Sequence, residues 1–452
     1  MASRASRNRS AKLRVGKVTV YPHHGSWWVY YRDGGKPVRR KVAANRSDAE
    51  QVAAQVNAQL AQGAPTLLAF TAIGVENLRR EFLNYHESVL GSTLSTVRRY
   101  RAATQHLLDF VSCTPRPPLA HDVRADRFAA YLREVEVAPN GHANSAKRRL
   151  RDKGVQFILE TCRAMYTYAG KKRHLPPYVA NPFAELPIDR MRIEDSKPIF
   201  VFDAETERAF FESAPRWAFP IHFTLAKTGL RVGELVHLLV EDLDLARGWL
   251  TVRNRPELDW RVKTGHGRVV PLVAELILLL KVVIETRVAG LVFLRQRLKG
   301  CPALSGNSTA LAKGYEQRCA AVGHPLTRVE RHGLARRVWL DAGAVSPDEI
   351  RNSFCRIMRK LGHPAATCPK SWRHTYATLL QDANVDPLIR QLTLGHATAS
   401  AGGLGMTANY THTRPETQKN QIEQALRRWP ASLELAQSFS NPLHMEVQDE
   451  SV

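Results

Sequence analysis

Hydrophobic and polar side chains alternate along the first part of the chain and then change to a helical spacing. The alternation is rich in Val, Tyr and Trp and predicts three short strands at 17–21, 26–32 and 37–43. Asp33-Gly34-Gly35-Lys36 supplies the turn residues of a hairpin between the last two strands. Ser47 and Glu50 then predict a capping box for a helix that closes at Gly63. Residues 17–66 are therefore expected to form a three-stranded sheet packed on one helix.

Residues 70–175 have the hydrophobic spacing of helices throughout. Val97, Leu107 and Val111 recur on one helical face, and basic side chains occupy the rest of that helix. A second apolar helix follows the basic cluster at 147–153. The pattern predicts an all-helical bundle with basic faces.

Proline interrupts the pattern between 176 and 198, which predicts a linker. Beyond it, 199–430 combines helical spacing with strand-like stretches, and this predicts a mixed α+β domain. The ends lack periodicity, so 1–16 is expected to be a disordered basic arm and 431–452 a loose tail. The expected fold class is a multidomain protein that is mainly α with small β.

Charge restricts the class of partner. The 452 residues contain 65 Lys and Arg against 42 Asp and Glu, which gives a net charge of +23 and a pI near 10.1. Such an excess favours nucleic acid as the partner. A membrane surface is the rival, but no apolar run approaches the ~20 residues of a membrane span, and the first residues lack the apolar core of a secretory signal. We expect double-stranded DNA as the partner, no membrane association and a cytoplasmic location in a prokaryotic host.

Cysteine usage agrees with a reducing compartment. The six cysteines are scattered without a C-x-x-C pair. Four of them fall in one region with two histidines, but the spacing matches no structural zinc pattern. These are Cys301, Cys319, His324, Cys355, His363 and Cys368. We therefore expect no metal and no other cofactor.

Clusters of Lys and Arg are the candidate DNA contacts. A two-stranded ribbon can enter a major groove, and basic helical faces can bind phosphates without reading sequence. A solvated sheet edge or helix face would carry the same charges, so each cluster alone leaves both interpretations open. The candidates are Arg32, Lys36, Arg39, Arg40, Arg98, Arg99, Arg101, Lys147, Arg148 and Arg149.

Candidate chemistry lies within 199–430. In Thr228-Gly229-Leu230-Arg231 a glycine ends one helix, and an arginine in the first turn of the next suits a bound anion better than it suits the helix dipole. Lys263 lies near a turn between two predicted strands as a mobile proton donor. Lys370 and Arg373 are three positions apart, so on a helix they share one face and can bind one phosphate. Downstream lies Tyr410, and a tyrosine that attacks a phosphodiester becomes covalently linked to nucleic acid.

Together these segments resemble the tyrosine recombinases, also called phage integrases. Four boxes stand in that family's order: Thr-Gly-Leu-Arg at 228–231, Lys-Thr-Gly at 263–265, Arg-His-Thr at 373–375 with Leu-Gly-His at 394–396, and Tyr-Thr-His at 410–412. One box alone is common by chance, but four boxes in this order on so basic a chain are a specific sign of resemblance to the family. The likeness covers roughly 200–415, while 17–66 and 70–175 look more loosely like the family's arm-binding and core-binding modules.

The resemblance implies a DNA strand transferase that needs neither ATP nor a metal. Tyr410 would attack the scissile phosphorus and hold the strand as a 3′-phosphotyrosine. Arg231 and Arg373 would stabilise charge on the non-bridging oxygens. Lys263 would protonate the leaving 5′ oxygen, and His396 would bind the phosphate or help to take the proton of the tyrosine.

Two features depart from the family. Lys370 stands where a histidine is usual, and an ammonium group is a poor base at neutral pH. The interval between His396 and Tyr410 is longer than usual and contains three glycines at 401–405, which suggests a loop that controls delivery of the tyrosine.

Two other functions stay open at this point. The first is a DNA-binding accessory protein with a degenerate recombinase domain, and the second is a nicking-closing topoisomerase. For a recombinase, the resemblance implies a homo-tetramer on DNA that moves a mobile element in or out of a chromosome. Accessory DNA-bending proteins are further expected partners.

Overall fold

A computed structural model describes residues 12–64, 66–115, 117–138, 145–176, 179–195, 198–298, 306–395 and 413–441. The chain divides into two compact units, Met1–Lys197 and Pro198–Val452. Within the described ranges, every helix is too short or too polar to span a bilayer.

The first unit begins with an antiparallel four-stranded sheet whose strands pair in chain order. Val18, Val20, Val29 and Tyr31 point from one face of the sheet onto the following helix and are buried there. The elements are β1 (Leu13–Val15), β2 (Val18–His23), β3 (Ser26–Asp33), β4 (Lys36–Ala43) and α1 (Arg46–Ala61). The predicted hairpin between β3 and β4 is confirmed, and Gly34 and Gly35 both adopt positive φ in its turn.

Two details of the predicted module are wrong. The sheet has a fourth strand, β1, which lies in the stretch expected to be a disordered arm. Its Leu13 pairs with Val20, and its Val15 pairs with Val18. The helix is capped by Asn45, whose Oδ1 accepts a hydrogen bond from the backbone N of Asp48 at 2.9 Å, and not by Ser47. Asn is as good a cap as Ser, so the residue pattern alone did not decide between them.

A helical module with its own core completes the first unit. Its main elements are α2 (Val75–Asn84), a π-helical turn (Tyr85–Val89), α3 (Leu94–Ser112), α4 (Ala125–Glu134), β5 (Glu136–Val137), β6 (Arg148–Arg149) and α5 (Asp152–Lys171). Short 3-10 turns lie at Ala120–Asp122 and Ile188–Arg190. The bundle is therefore not all helix, since β5 and β6 pair as a small antiparallel ribbon.

The segment predicted as a linker, 176–198, packs on this helical module over much of its length. Phe183 and Ile188 are buried in the helical core. Asn181 donates from Nδ2 to the backbone O of Arg163 at 2.9 Å, and the guanidinium of Arg163 pairs with Asp189 at 3.3 Å. The apolar residues between the prolines of this segment therefore pack into the helical core.

The second unit mixes many helices with a small antiparallel sheet. The helices are α6 (Ala204–Glu212), α7 (Phe219–Thr228), α8 (Val232–Leu235), α9 (Ala274–Ile284), α10 (Ser308–Ala320), α11 (Arg328–Asp341), α12 (Pro347–Lys360), α13 (Lys370–Asp382), α14 (Pro387–Leu394), α15 (Pro415–Leu426) and α16 (Pro430–Ser440). The strands, in sheet order, are β7 (Leu243–Asp244), β8 (Trp249–Val252) and β9 (Arg268–Pro271). Strand β9 begins only at Arg268, because 263–267 form the turn before it.

Trp372 of α13 lies in the main core of this unit. Its ring stacks on Phe202 with centroids 3.9 Å apart and meets the edge of Phe210 at 4.8 Å. Its Nε1 donates to Nδ1 of the buried His222 at 3.3 Å. This packing holds α13 against α7 and so fixes the two helices that carry the arginine boxes.

The C-terminal prediction needs correction, since 431–440 belong to helix α16 and are not a loose tail. Leu433 and Ala436 are buried in the main core, where α16 packs on α9 and α6. Ser432 Oγ accepts a hydrogen bond from the buried Lys227 Nζ at 2.8 Å. Pro430 occupies the first turn of this helix, where a missing N–H costs nothing.

Candidate functional site

Gly229 places the first arginine box at the junction of two helices. Helix α7 ends at Thr228, and Gly229 takes φ +61°, a left-handed conformation that glycine adopts without steric cost. A Cβ at this position would lie 2.5 Å from Cδ1 of Tyr376, so only glycine fits. The chain reverses here and starts α8 with Arg231 as its N-cap residue.

Glu234 organises the arginines around it. Its Oε2 accepts from the backbone N of Arg231 at 2.9 Å, and its Oε1 accepts from Arg231 Nη1 at 2.8 Å. The same carboxylate accepts from Arg268 Nη2 at 2.6 Å and from Arg268 Nη1 at 3.1 Å. Burial opposes ionisation of this side chain, which is only 3% exposed, but the bonds and charges of both arginines outweigh burial and lower the pKa of Glu234.

Arg373 enters the same cluster from helix α13. Its Nη1 donates to the backbone O of Gly229 at 2.7 Å, and its Nη2 donates to the backbone O of Leu394. Burial, together with the positive charges of Arg231 and Arg268, lowers the pKa of Arg373 to about 10, while Glu234 partly offsets these effects. The guanidinium therefore stays cationic at neutral pH. Three arginines against one glutamate leave net positive charge, which suits a bound anion.

The two candidate lysines lie on the surface beside these elements. Lys263 is exposed on the turn before β9, which Asn254 braces by accepting from Val262 N at 2.8 Å and donating to Gly265 O at 2.6 Å. Lys370 is the exposed first residue of α13, one turn before Arg373. Within the described ranges, the structure records no hydrogen bond or ion pair between either lysine and the arginines.

The last predicted members of the site lie outside the described residues. These are His396 and Tyr410, together with the glycine-rich 401–405. The described chain does include Gly395, which ends α14 with φ +65°. A Cβ there would lie 2.8 Å from Cδ of Arg268, so the backbone of the Leu-Gly-His box touches the arginine cluster.

Arg268 was not singled out by the sequence. Its Nε donates to the backbone O of Thr393 at 2.8 Å in addition to its two bonds with Glu234. One signal could have found it: the side-chain period of two along β9 places Arg268 on the same face as the fully buried Val270. An arginine on the inward face of a strand requires a buried partner.

The hairpin candidates for DNA contact divide between the two faces of the sheet. Arg39 pairs across the ladder with Tyr30 on the face away from α1, and its guanidinium lies 5.5 Å from the centre of that ring. Arg40 pairs with the buried Val29, so it lies on the α1 side, where its guanidinium covers the ring of Phe70 at 4.7 Å. Arg32, by its alternation with the buried Tyr31, shares the outer face with Arg39, while Lys36 lies beside the turn.

The helical-module candidates are exposed but occupy different elements. Arg98, Arg99 and Arg101 belong to α3, where the guanidinium of Arg99 lies 4.1 Å from the centre of the Phe157 ring. Arg148 and Arg149 form the strand β6, and Lys147 precedes it. Their role in binding DNA stays a prediction.

Within the residues that the structure describes, no group of three or more His, Cys, Asp or Glu side chains is placed to hold an ion. The cysteines that the described ranges include, namely Cys113, Cys162, Cys319, Cys355 and Cys368, are free thiols.

The sequence of this chain is similar to those of known proteins. Residues 221–417 match the Phage integrase family. Tyrosine recombinase XerA of Pyrococcus furiosus is 27% identical over 201 residues, which are 44% of this chain and 51% of that protein. The chain thus spans about half the length of this curated relative.

Two solved structures are similar at low sequence identity. One is the Tn1549 transposon integrase in complex with transposon right end DNA, with a TM-score of 0.50 and 16% identity over 78% of this chain and 100% of that one. The other is a lambda integrase tetramer bound to a Holliday junction, with a TM-score of 0.45 and 16% identity over 84% of this chain and 95% of that one.

The second unit is thus a mixed α+β domain that gathers three arginines and a glutamate from three separate segments of the chain. The family match covers all of these residues. Within this unit, 221–417 is therefore similar to the phage integrase family, the tyrosine recombinases.

Proposed function

We propose that the protein is a site-specific DNA recombinase that cleaves and rejoins double-stranded DNA through a 3′-phosphotyrosyl intermediate on Tyr410. One observation carries the proposal: Arg373 bonds Gly229, which directly precedes the Leu230-Arg231 step, and Arg231 bonds Glu234. All of these residues lie within the segment that matches the family. Cationic donors held in place before the substrate arrives are what a phosphoryl transition state requires.

The proposed cleavage step balances without an external energy source. The phenolic oxygen of Tyr410 forms a bond to the scissile phosphorus while the bond from phosphorus to the 5′ oxygen breaks. Lys263 gives a proton to the leaving oxygen, and His396 accepts the proton of Tyr410. Arg231 and Arg373 stabilise the extra charge on the non-bridging oxygens, with Lys370 as a further donor. A 5′ hydroxyl of another strand reverses these steps and reseals the DNA.

The first unit supports the DNA-binding part of the proposal. Its sheet carries Arg32, Arg39 and Lys41 beside Trp28 and Tyr30 on the face away from α1. Such a face fits a DNA groove, with cations at the phosphates and aromatic edges toward the bases. The basic side chains of α3 and β6 would add phosphate contacts that give affinity without sequence selection.

The assembly and biological role belong to the same proposal. The protein would act as a homo-tetramer on two DNA sites, with accessory DNA-bending proteins, in the cytoplasm of a prokaryotic host. It would move a mobile element in or out of a chromosome.

A nicked suicide substrate tests the proposal. The protein first selects its own binding site from a random duplex library, and that duplex is then nicked beside each candidate scissile phosphate in turn. We expect a covalent protein–DNA adduct with the wild type that disappears in Tyr410→Phe. Tight binding without any adduct would instead identify a DNA-binding accessory protein. Relaxation of supercoiled plasmid without exchange between two site-bearing duplexes would identify a topoisomerase.

A further inference from the structure

We propose that Arg268 is a positioning residue for DNA cleavage: it holds the Arg231 box and the Leu-Gly-His box in register and leaves the outer part of Arg231 available for the phosphate. The inference rests on the proposed function, since it assigns a role within that site. It goes beyond that function because the roles inferred above do not include Arg268.

The bonds of Arg268 connect three separate elements. Its side chain is 5% exposed and extends from strand β9, which follows the turn that carries Lys263. Both terminal nitrogens donate to Glu234 on α8, at 2.6 and 3.1 Å. Its Nε donates to the backbone O of Thr393 near the end of α14, at 2.8 Å.

Each of these partners is adjacent to a proposed catalytic group. Glu234 binds Arg231 through both its backbone and its side chain. Thr393 precedes Leu394, whose carbonyl oxygen accepts from Arg373. Two arginines thus hold successive carbonyls at the end of α14, immediately before Gly395. A shift of Arg268 would move the supports of Arg231 and Arg373 together.

Charge explains why an arginine is needed at this position. Glu234 is almost fully buried. If Arg231 were its only cationic partner, the buried carboxylate would bind the guanidinium of Arg231 tightly. Arg268 takes up both carboxylate oxygens, so Arg231 needs to give only one side-chain nitrogen to Glu234. The Arg231 side chain stays 25% exposed, which leaves donors free to reach an anion.

Single-turnover cleavage of the nicked, self-selected duplex tests the role in a set of variants. Arg268→Gln should lower the rate of adduct formation by about 10²-fold, because small displacements of a phosphate clamp have large effects. Its dissociation constant for the same uncleaved duplex should change by less than about threefold, since only transition-state contacts are lost. Arg268→Lys restores one charged donor and should recover part of the rate.

A matched control separates positioning from general stability. Arg255 is also almost fully buried, and its Nη2 pairs with Asp242 at 2.8 Å in a different part of the unit. Arg255→Gln should therefore destabilise the fold comparably and leave the cleavage rate of the folded protein within about threefold of wild type.

A double-mutant cycle completes the test. Removing the carboxylate in Glu234→Gln/Arg268→Gln eliminates the buried charge that has lost its Arg268 partner, so the double variant should lose less rate than the product of the two single losses. Equal cleavage by Arg268→Gln and Arg255→Gln, or multiplicative losses in the cycle, would overturn the role of Arg268. An absence of adduct in the wild type would instead reject the proposed function itself.

Discussion

Arg373 on α13 donates a hydrogen bond to the backbone oxygen of Gly229, 144 residues earlier in the chain, at 2.7 Å. The bond connects the Arg-His-Thr box to the glycine that sets the direction of the chain before Arg231. The two arginines are therefore not independent, because the residue that reverses the chain before Arg231 is itself held by Arg373. Removing one should disturb the placement of the other.

We expect Arg373→Lys to separate DNA binding from cleavage. A lysine keeps the charge but cannot bond Gly229, Leu394 and a phosphate at once, because it lacks the planar fork. Adduct formation should fall by about 10²–10³-fold, the usual cost of losing one transition-state donor. Single-turnover cleavage of the nicked duplex measures the rate, and gel-shift titration measures binding, which should change little.

Arg373→Gln should in addition weaken the fold. The bonds to the backbone oxygens of Gly229 and Leu394 lie in a buried environment, and loss of partners for such groups costs about 1–3 kcal/mol. Urea unfolding of the variant should report this loss. A variant that is as stable as wild type would show that water or a neighbouring donor replaces the guanidinium.

Gly229→Ala should be strongly destabilising. The substitution places a Cβ at positive φ and 2.5 Å from the ring of Tyr376, so backbone strain and overpacking add to about 2–4 kcal/mol. Gly233→Ala is a matched control four residues away, where a Cβ meets nothing within 4 Å. It should be neutral or stabilise by up to about 1 kcal/mol in urea unfolding. Equal effects at the two positions would contradict the packing argument.

Arg231 and Arg373 could be predicted because short, recognisable boxes surround them, and the structure brings the two residues together. Arg268 was not recognised because an arginine at the first position of a strand ordinarily faces solvent, and the alternation within β9 identifies the inward face only once Val270 is known to be buried. Glu234 both orients Arg231 and satisfies the start of its helix, but its second arginine comes from a segment 34 residues away. Contacts of that kind depend on tertiary packing and have no local pattern.

The fold was predicted best where periodicity is long. The hairpin of β3 and β4 follows from alternation and a Gly-Gly turn, while β1 is only three residues long and was mistaken for part of a basic arm. Helix α16 was missed because it is short and its stability comes from packing on α9 and α6. Which face of the sheet Arg39 and Arg40 each take depends on strand register, because a slip of one residue would exchange them.

The buried ion pair of Lys227 and Glu207 should control the attachment of α16. Both side chains are fully buried, and Lys227 also donates to Ser432 Oγ at 2.8 Å. Lys227→Met leaves the Glu207 carboxylate without its partner and should destabilise the unit by about 3–5 kcal/mol in urea unfolding. Glu207→Leu/Lys227→Met removes both charges and should recover most of that loss. A double variant as unstable as the single one would show that the pair is needed for specific packing of the helix.

His222 should make stability fall in mild acid. Burial lowers the pKa of His222 to about 3 from an ordinary 6.5, and its Nδ1 accepts the hydrogen bond of Trp372. The folded state therefore keeps this ring neutral, whereas the unfolded state binds a proton below pH 6.5. Stability is complete above that pH and should decline by about 1.4 kcal/mol per pH unit toward pH 3 through this group alone.

His222→Asn should remove this contribution, because the amide oxygen can still accept from Trp372 but does not titrate. Urea unfolding at several pH values between 7 and about 4 measures the slope for both proteins. We expect the variant to be less stable than wild type at pH 7, since it fills the aromatic pocket less well, and to lose less stability as the pH falls. Parallel pH profiles would mean that His222 becomes protonated in the folded state and that the surrounding aromatic core opens to accommodate the charge.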